Sequence, residues 1–290
     1  MVGGSWRDHT HAPAVPAMSA RNLPAMPEGH TIHRLARDHT KLLVGAGPIV
    51  VSSPQGRFAG DAALVDGVEL QRIEAYGKHL FHWWANGRVG HVHLGLFGKY
   101  RVHLADDRRR CLAEVRMRMR SPRATVDLAG PTACAIGTAD DRDEIVARLG
   151  PDPLRRDAKP QRAIARIGAS RAPIGALLLD QSVLCGVGNV YRAEALFVNA
   201  INPLRPGRSC CEPELRALWD TVVAMLRRGV RDNRIITIDR REHAIARGRT
   251  RRGETTYVYH REHCLRCGTL VQTAQLAGRA CYYCPVCQPV

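Results

Sequence analysis

Two pairs of closely spaced cysteines near the C-terminus constrain the fold of this chain more than any other feature of its sequence. Cys264 and Cys267 form the first pair and Cys284 and Cys287 the second, with sixteen residues between the pairs. Four thiolates brought together in this way form a closed tetrahedral set, the usual arrangement for structural zinc. We therefore predict one structural Zn²⁺ per chain, whose binding free energy is part of the folding free energy of a C-terminal ribbon. Cys281 breaks the paired spacing and is predicted to lie outside the ligand set.

The overall composition indicates a globular protein with a polyanionic partner. The 290 residues are 45% hydrophobic, and 43 Lys and Arg against 27 Asp and Glu leave a formal net charge of +16. Such a charge favours nucleic acid or another polyanion as the partner. No apolar run approaches the roughly 18 residues of a membrane span, and the segment before Met26 lacks the hydrophobic region of a secretory signal. Because the cysteine spacing is typical of metal binding, we expect a cytoplasmic protein in a reducing compartment and no membrane partner.

The tetrapeptide Met26-Pro27-Glu28-Gly29 carries a potential nucleophile. If translation starts at Met26 and this methionine is removed, Pro27 has a free secondary amine. Generic α-amino groups have a pKa of roughly 7.7 to 8.0 against about 10.4 for lysine, so a useful fraction is unprotonated near neutral pH. Glu28 supplies a carboxyl group that can donate or accept a proton beside it. The alternative is the first turn of a helix, where the fixed φ of proline is tolerated.

Hydrophobic spacing divides the chain into a β-rich N-terminal part and a helical C-terminal part. Apolar residues at helical spacing from Pro27 onward predict a helix that ends at Gly45 and Gly47. Period-two alternation over 91–96 and 115–120 predicts antiparallel strands, the second with three arginines on one face. A Gly-Pro-Asp-Pro cluster at 150–153 marks a boundary or a sharp turn. Helical patterns span 140–149, 161–167, 174–181, 190–197 and 213–230, and an arginine-dense stretch over 240–252 is predicted to be a solvated connector.

Two further segments carry groups suited to phosphate. Gly186 and Gly188 lie in a loop between two helical patterns, where glycines allow backbone N–H groups to face a phosphate. Asn189 is suited to the N-cap position of the next helix. The alternative is a helix–helix turn whose glycines cap and pack. Arg279 lies between the cysteine pairs, where we expect a hairpin, and its guanidinium suits phosphate, although a surface arginine in a basic protein usually has no specific role.

Five motifs, in order, resemble those of the formamidopyrimidine-DNA glycosylase and endonuclease VIII family. They lie at 26–29, 77–80, 150–152 and 186–194, and in the ribbon that ends in Cys284-Pro-Val-Cys287-Gln288. The similarity spans 26–290, and within the family it is greatest to actinobacterial endonuclease VIII. It implies an α+β fold, with an N-terminal antiparallel β-sandwich domain and its flanking helix, followed by a helical helix-two-turn-helix domain with a zinc ribbon. The implied boundaries are 26–140 for the catalytic domain, 141–250 for the helix-two-turn-helix domain, 251–290 for the zinc finger, and 1–25 for a disordered or non-native extension.

The resemblance implies an enzyme of base excision repair that is both a DNA glycosylase and an abasic-site lyase. By this resemblance Pro27 attacks C1′ of the damaged nucleotide and forms a Schiff base, and Glu28 protonates the opening sugar. Lys78 is implied as a catalytic lysine held close to the lesion's phosphate. Arg279 is implied in the β- and δ-elimination steps, in which phosphates leave. Oxidised pyrimidines in double-stranded DNA are the implied substrates.

The resemblance also implies how the DNA is held. Arg148 and Asn189 match phosphate-binding positions, and Leu96 and Phe97 match residues that fill the hole left by the extruded nucleotide. Without the resemblance, Leu96 and Phe97 would be read as core residues. Gly95 stands where glutamine is common in endonuclease VIII, which puts a polar contact to the opposite strand in doubt.

Three points stay open at the level of sequence. Chemistry at Pro27 requires that residues 1–26 be absent, because an amide nitrogen has no usable lone pair; we expect that the working protein starts at Met26 and loses it. One alternative is a non-catalytic module that recognises damaged DNA with the same surfaces. Another is the same chemistry directed at oxidised purines. We expect a monomer that is associated with DNA in a bacterial cytoplasm.

Overall fold

The structure is a computed structural model that describes residues 27–104, 113–239 and 254–290. The predicted extension over 1–25 and the predicted connector over 240–252 lie outside these residues. In the N-terminal domain, helix α1 precedes eight strands and a short helix α2. The elements are α1 (Gly29–Leu43), β1 (Pro48–Ser52), α2 (Ala59–Ala63), β2 (Val68–Tyr76), β3 (His79–Trp84), β4 (Val89–His93), β5 (Lys99–Leu104), β6 (Val115–Arg120), β7 (Ala124–Ala129) and β8 (Ala133–Gly137).

The strands form two antiparallel four-stranded halves around one core. Their order is β5-β7-β6-β1-β2-β3-β4-β8, and only two residue pairs, Pro48 with Glu69 and Ile49 with Val68, join β1 to β2 in the middle. Buried residues from both halves form a single hydrophobic cluster that includes Val51, Leu80 and Met119. The predicted antiparallel β domain with a flanking helix is therefore confirmed. The predicted arginine face of β6 is also present, and Arg118 on it makes two hydrogen bonds to Asp127, at 2.6 and 2.7 Å.

Helix α1 connects the two domains. Its apolar positions bury Ile32, Ala36 and Leu43 against the sheet, and the helix also contacts the long helix Glu212–Asp232 of the second domain. It ends where predicted, because Gly45 and Gly47 both adopt positive φ angles, which glycine tolerates best. The residues just before α1 therefore lie at the domain junction.

The C-terminal domain consists of helices joined by short loops. The elements are α3 (Ala139–Ala147), α4 (Pro160–Gly168), α5 (Ile174–Leu177), α6 (Asn189–Val198), a 3₁₀ turn (Gly207–Ser209) and α7 (Glu212–Asp232). Helix α5 is shorter than the predicted 174–181. The reason is local, since Asp180 Oδ1 accepts hydrogen bonds from the N–H and the hydroxyl of Ser182, and this turn competes with the helix.

The C-terminal ribbon is a hairpin of β9 (Gln272–Leu276) and β10 (Arg279–Tyr283). Ala277 and Gly278 form the turn with φ angles of 51° and 71°, so Arg279 directly follows a tight two-residue turn. The predicted hairpin is confirmed. Across the residues described, no helix has both the length and the apolar composition needed to cross a bilayer.

Candidate active site

One cleft, with a volume of about 1010 Å³, lies where four segments of the two domains meet. Besides these four segments, which are the start of α1, the β2–β3 turn, the loop before α6 and the turn of the ribbon, the β4–β5 turn also lines the cleft. Of the residues singled out in the sequence, Pro27, Lys78, Leu96, Asn189 and Arg279 line this cleft. Residues up to 252 positions apart in the chain, from Pro27 to Arg279, are thus brought to one place.

Glu28 lies directly behind Pro27 and is almost fully buried, with 1% of its surface exposed. Its Oε2 accepts a hydrogen bond from the N–H of Gly188 at 2.7 Å, and its Oε1 accepts one from the N–H of Val190 at 3.0 Å. Burial raises the pKa of Glu28, although the Lys78 charge and the backbone N–H donors oppose the shift. The carboxyl group therefore keeps a proton to a higher pH than an exposed glutamate, which suits an acid.

The backbone of the glycine loop before α6 directly contacts the backbone at the start of α1. The N–H of Gly29 donates to the carbonyl of Gly186 at 2.7 Å, and a Cβ atom on Gly188 would lie 2.4 Å from Cδ of Glu28. The N–H of Gly186 donates to the side chain of Gln181. Of the two interpretations that the sequence left open for Gly186 and Gly188, the structure therefore does not support the one in which their N–H groups face a phosphate. Both groups have protein acceptors, and the alternative of packing glycines is the correct one.

Asn189, which the sequence suggested as the N-cap of the next helix, is instead the first residue of α6. The N-cap, one residue earlier, is Gly188. The Asn189 amide donates to the carbonyl of Ala280 in the ribbon at 3.0 Å, and its Oδ1 accepts a hydrogen bond from Arg192. The side chain thus links α6 to the ribbon while it lines the cleft.

Lys78 is the second residue of the Gly77-Lys78 turn between β2 and β3. Burial lowers the pKa of its ammonium, the Arg279 charge lowers it further, and the Glu28 charge raises it. His79 and His93 lie on the adjacent strands, with ring centroids 4.9 Å apart, and His93 also lines the cleft. The cleft therefore holds a lysine whose charge is destabilised by its surroundings.

The four paired cysteines form one cluster. Their sulfur atoms all lie within 4.8 Å of one another, and the Cys264–Cys287 and Cys267–Cys284 distances are 3.9 and 3.5 Å. Zn–S bonds of about 2.3 Å in a tetrahedron require S–S distances of about 3.8 Å. The residues therefore fit a tetrahedral metal such as zinc. Cys281 is buried in the hairpin and lies outside the cluster, as predicted.

Two buried charged residues of α6, which the sequence patterns did not single out, hold the ribbon in place. Arg192 is 0% exposed, and its guanidinium donates to the carbonyls of Leu276 and Ala280, on either side of the ribbon turn, each at 3.2 Å. Glu194 accepts hydrogen bonds from the N–H groups of 257–259 at 2.6 to 2.9 Å. The sequence did contain a signal for them, because Arg192 and Glu194 are the two charged residues of a helix that is otherwise apolar after Asn189.

The two predicted wedge residues lie in the β4–β5 turn. Phe97 is 47% exposed and Leu96 is half-buried at the edge of the cleft, so neither is a core residue. Gly95 beside them has a φ of 62°, and a Cβ atom there would lie 1.7 Å from the hydroxyl of Thr132. A glutamine cannot occupy position 95 in this backbone. Arg148, the C-cap of α3, lies outside the cleft lining and is exposed.

Sequence and structure comparisons agree with one another over most of the chain. The profile of the formamidopyrimidine-DNA glycosylase N-terminal domain matches 26–131, and the profile of the formamidopyrimidine-DNA glycosylase H2TH domain matches 149–240. Endonuclease 8 1 of Mycobacterium tuberculosis is 49% identical over 270 residues, which cover 91% of this chain and 100% of the relative. A formamidopyrimidine-DNA glycosylase of Corynebacterium urealyticum is 27% identical over 92% of this chain and 99% of the relative.

Among solved structures, the Lactococcus lactis Fpg protein in complex with an abasic-site DNA has a similar fold. The TM-score is 0.74 at 22% sequence identity, with 91% of this chain and 100% of that chain covered. The likeness extends over both domains and the ribbon.

Proposed function

The chain belongs to the formamidopyrimidine-DNA glycosylase and endonuclease 8 family, and from this premise we propose that it excises oxidised pyrimidines from double-stranded DNA through the amine of Pro27. As a member of this family it is a DNA glycosylase and abasic-site lyase of base excision repair. The preference for pyrimidines is supported by 49% identity to an endonuclease 8 against 27% to a formamidopyrimidine-DNA glycosylase.

One observation carries the proposal: Pro27 opens onto the cleft directly in front of a buried, protonatable carboxyl group. Glu28 is fixed by two backbone donors of the other domain, and this anchors the residue that precedes it in the chain. Lys78 and Arg279 face the same cleft from opposite hairpins. A nucleophile, an acid and two cations therefore surround one space that is large enough for an extruded nucleotide.

The chemistry follows from these groups in order. The lone pair of the Pro27 nitrogen attacks C1′ of the deoxyribose, and the bond to the damaged base breaks with its electrons going to the base. The proton on the Pro27 nitrogen then leaves and, in the net balance, neutralises the departing base, which restores the nitrogen lone pair. The Glu28 carboxyl donates a proton to O4′ as the sugar ring opens, which leaves an iminium ion between Pro27 and C1′. The iminium draws electrons from C2′ as its proton leaves, so the 3′ phosphate departs by β-elimination and the 5′ phosphate then departs by δ-elimination. Lys78 and Arg279 stabilise the negative charge of these leaving phosphates.

The DNA contacts are proposed on the same basis. Arg148 and Asn189 contact phosphates of the damaged strand, and Leu96 and Phe97 fill the space left by the extruded nucleotide. The exposure of Phe97 supports the second role, because an apolar ring that is 47% exposed has room to insert into a base stack. The four-cysteine cluster binds one structural Zn²⁺. We expect the protein to act as a monomer in a bacterial cytoplasm.

The proposed reacting form starts at Pro27. Its proposed domain boundaries are 26–140, 141–250 and 251–290. Support comes from the family profile, which begins at residue 26, and from relatives whose full length covers 91% of this chain. Intact-mass measurement of natively produced protein should show Pro27 as the first residue. Retention of residues 1–25 would contradict this part of the proposal.

Borohydride trapping tests the whole proposal. Protein that starts at Met26 should form a covalent adduct with abasic and thymine glycol duplexes, because borohydride reduces the iminium to a stable amine. Pro27→Ala should lower the rate of adduct formation by at least about 10². The matched control is the full 290-residue form, in which the Pro27 nitrogen is part of a peptide bond and should form no adduct. Tight DNA binding without an adduct would instead support a non-catalytic damage-recognition module. Faster cleavage of 8-oxoguanine than of thymine glycol would move the substrate to oxidised purines.

A further inference from the structure

The Gly150-Pro151-Asp152 turn between the domains contains a buried carboxylate that none of the proposed steps uses. Asp152 is 1% exposed. Its Oδ2 accepts a hydrogen bond from the N–H of Gly77 at 2.8 Å and is hydrogen-bonded to Nε2 of His33 at 2.7 Å, while its Oδ1 accepts one from the N–H of Leu154 at 2.9 Å. Burial of a carboxylate is costly unless its oxygens are satisfied. Donors from three separate segments satisfy this one.

From this geometry we propose that Asp152 is a positioning residue for Lys78, an inference that rests on the proposed function of the cleft. Gly77 directly precedes Lys78 in the two-residue turn, so the bond from Asp152 fixes the backbone one residue before the ammonium-bearing side chain. Tyr76, on the other side of Gly77, donates its hydroxyl to the carbonyl of Gly150 at 3.2 Å. The C-terminal domain thus fixes the turn at two successive residues.

The Lys78 turn depends on this anchoring for two reasons. Gly77 has a φ of 57°, and a Cβ atom on it would lie 2.9 Å from Sγ of Cys185, so the turn is pressed against the loop of the other domain. Within the part of the chain that the structure describes, no hydrogen bond or ion pair holds the Lys78 ammonium itself. The position of its nitrogen is therefore set by the backbone of the turn and by packing, and Asp152 controls the backbone.

The contacts at the domain junction argue against the alternative that Asp152 serves only to hold the two domains together. Other bonds already join the domains. Arg34 donates to the carbonyls of Val230 and Arg231, each at 3.1 Å, and Glu74 pairs with Arg142 and Arg155. Loss of the Asp152 carboxylate should therefore change the local turn more than the domain arrangement.

Single-turnover trapping with three variants of the Met26-start protein tests this role. Asp152→Asn keeps the size of the side chain but replaces one acceptor oxygen with a donor, so the turn should shift. Displacement of a catalytic group by about 1 Å costs on the order of 10²-fold in rate, and we expect a 10- to 100-fold slower adduct formation with DNA affinity unchanged within threefold. His33→Ala, which leaves the Gly77 bond in place, should stay within threefold of the parent rate.

Asp66→Asn is the control for the same substitution, because Asp66, an exposed residue of the N-terminal domain, accepts a backbone hydrogen bond from Val51 at 2.8 Å away from the cleft. Its rate should remain within twofold of the parent. A parallel loss of rate and DNA affinity in Asp152→Asn would overturn the proposal, since general unfolding lowers both. An equal loss of rate in His33→Ala would also overturn it, because the strap between domains would then be the important bond.

A double-mutant cycle with Lys78→Ala separates positioning from structure. If Asp152 acts through Lys78, Asp152→Asn should cause no further loss in the Lys78→Ala background. Additive losses would overturn the inference. If the parent protein forms no adduct, the proposed function itself is contradicted. If the parent and the Asp152→Asn variant trap DNA at equal rates, only this inference is contradicted.

Discussion

Two hairpin turns bring the two cations of the cleft into place, and different interactions hold each turn. The β2–β3 turn places Lys78 in a half-buried position, and the backbone of this turn is fixed by Asp152 and Gly150 of the adjoining domain. The ribbon turn places Arg279 in an exposed position, and carbonyls beside this turn accept hydrogen bonds from Arg192. The first turn is held by the pairing of its own two strands and by hydrogen bonds across the domain junction. The second turn is held by the four-cysteine cluster, by the buried guanidinium of Arg192 and by the amide of Asn189.

The largest expected effect comes from breaking the cysteine cluster. Cys284→Ser should abolish stoichiometric zinc binding, because it removes one of the four thiolate ligands. Metal binding of this kind contributes on the order of 10 kcal/mol to folding, so the ribbon should unfold. Loss of the Arg279 turn should then lower strand cleavage by about 10² or more, while the unfolding transition of the N-terminal domain is retained. Metal analysis, calorimetry and cleavage assays measure these three quantities.

Cys281→Ser is the matched control for this variant. Cys281 is buried in the same hairpin but lies outside the four-cysteine cluster, so its zinc content should remain one per chain. Full strand cleavage by zinc-free Cys284→Ser protein would show that Arg279 does not need the metal. The contrast between the two turns would then be lost.

A smaller effect is expected from Arg192→Met, which tests the second support of the ribbon. The substitution leaves the carbonyls of Gly175, Leu276 and Ala280 without their guanidinium donor. The Ala280 carbonyl keeps the Asn189 amide as a donor, whereas the carbonyls of Gly175 and Leu276 lose the guanidinium. Each unsatisfied buried group costs about 1 to 3 kcal/mol, so the free energy of unfolding should fall by about 3 kcal/mol in chemical denaturation. Zinc should still bind.

Arg216→Met provides the control for removal of an arginine. Arg216 pairs with Glu212 one helical turn away on the exposed face of α7, and such pairs contribute less than about 0.5 kcal/mol. Equal destabilisation by the two variants would mean that the buried contacts of Arg192 do not determine the position of the ribbon.

Buried histidines of the N-terminal domain, which carries the Lys78 turn, should make the stability of that domain depend on pH. Burial lowers the pKa of His79 to about 2, of His82 to about 3, and of His30, His39 and His91 to about 4. Groups whose pKa is lower in the folded state stabilise the protein above their unfolded pKa of about 6.5, and this stabilisation is lost as the pH falls. The melting temperature of the N-terminal domain should therefore decrease from pH 6.5 toward pH 4.

His82→Leu sharpens this measurement, because His82 is buried on β3 and its Nε2 has no hydrogen-bond partner in the described structure. The variant should show a shallower decrease than the parent protein. A melting temperature that is constant between pH 7 and pH 4.5 would show that the histidines are not buried as neutral groups.

Local patterns predicted those parts of the molecule whose causes are local. The CxxC spacing predicted the cysteine cluster, because two residues between ligands suit a tight turn around one metal. Helical periodicity predicted α1 and its glycine end, and the position of Arg279 between the cysteine pairs predicted a hairpin. The element that local pattern misjudged, α5, ends early because Asp180 forms a competing side-chain turn.

The glycine loop shows where pattern reasoning was insufficient. Gly186 and Gly188 suit either a phosphate cradle or a close backbone contact, and nothing within the loop distinguishes the two. The distinction depends on α1, which lies more than 140 residues away in the chain and places Gly29 and Glu28 against the loop. Likewise, the burial of Arg192 and Glu194 is explained by their hydrogen-bond partners, which lie in the C-terminal segment that contains the ribbon.

The sequence by itself determined the family, the order of the two domains and the ribbon, the metal-type cluster and five of the residues that line the cleft, because these follow from residue types in short motifs. Only the tertiary structure decided which backbone donors are already used, why Glu28 is buried and how Asp152 reaches the Lys78 turn. Those features arise from contacts between segments that are far apart in the chain, and the free energy of such contacts depends on distance and burial, which no local pattern encodes.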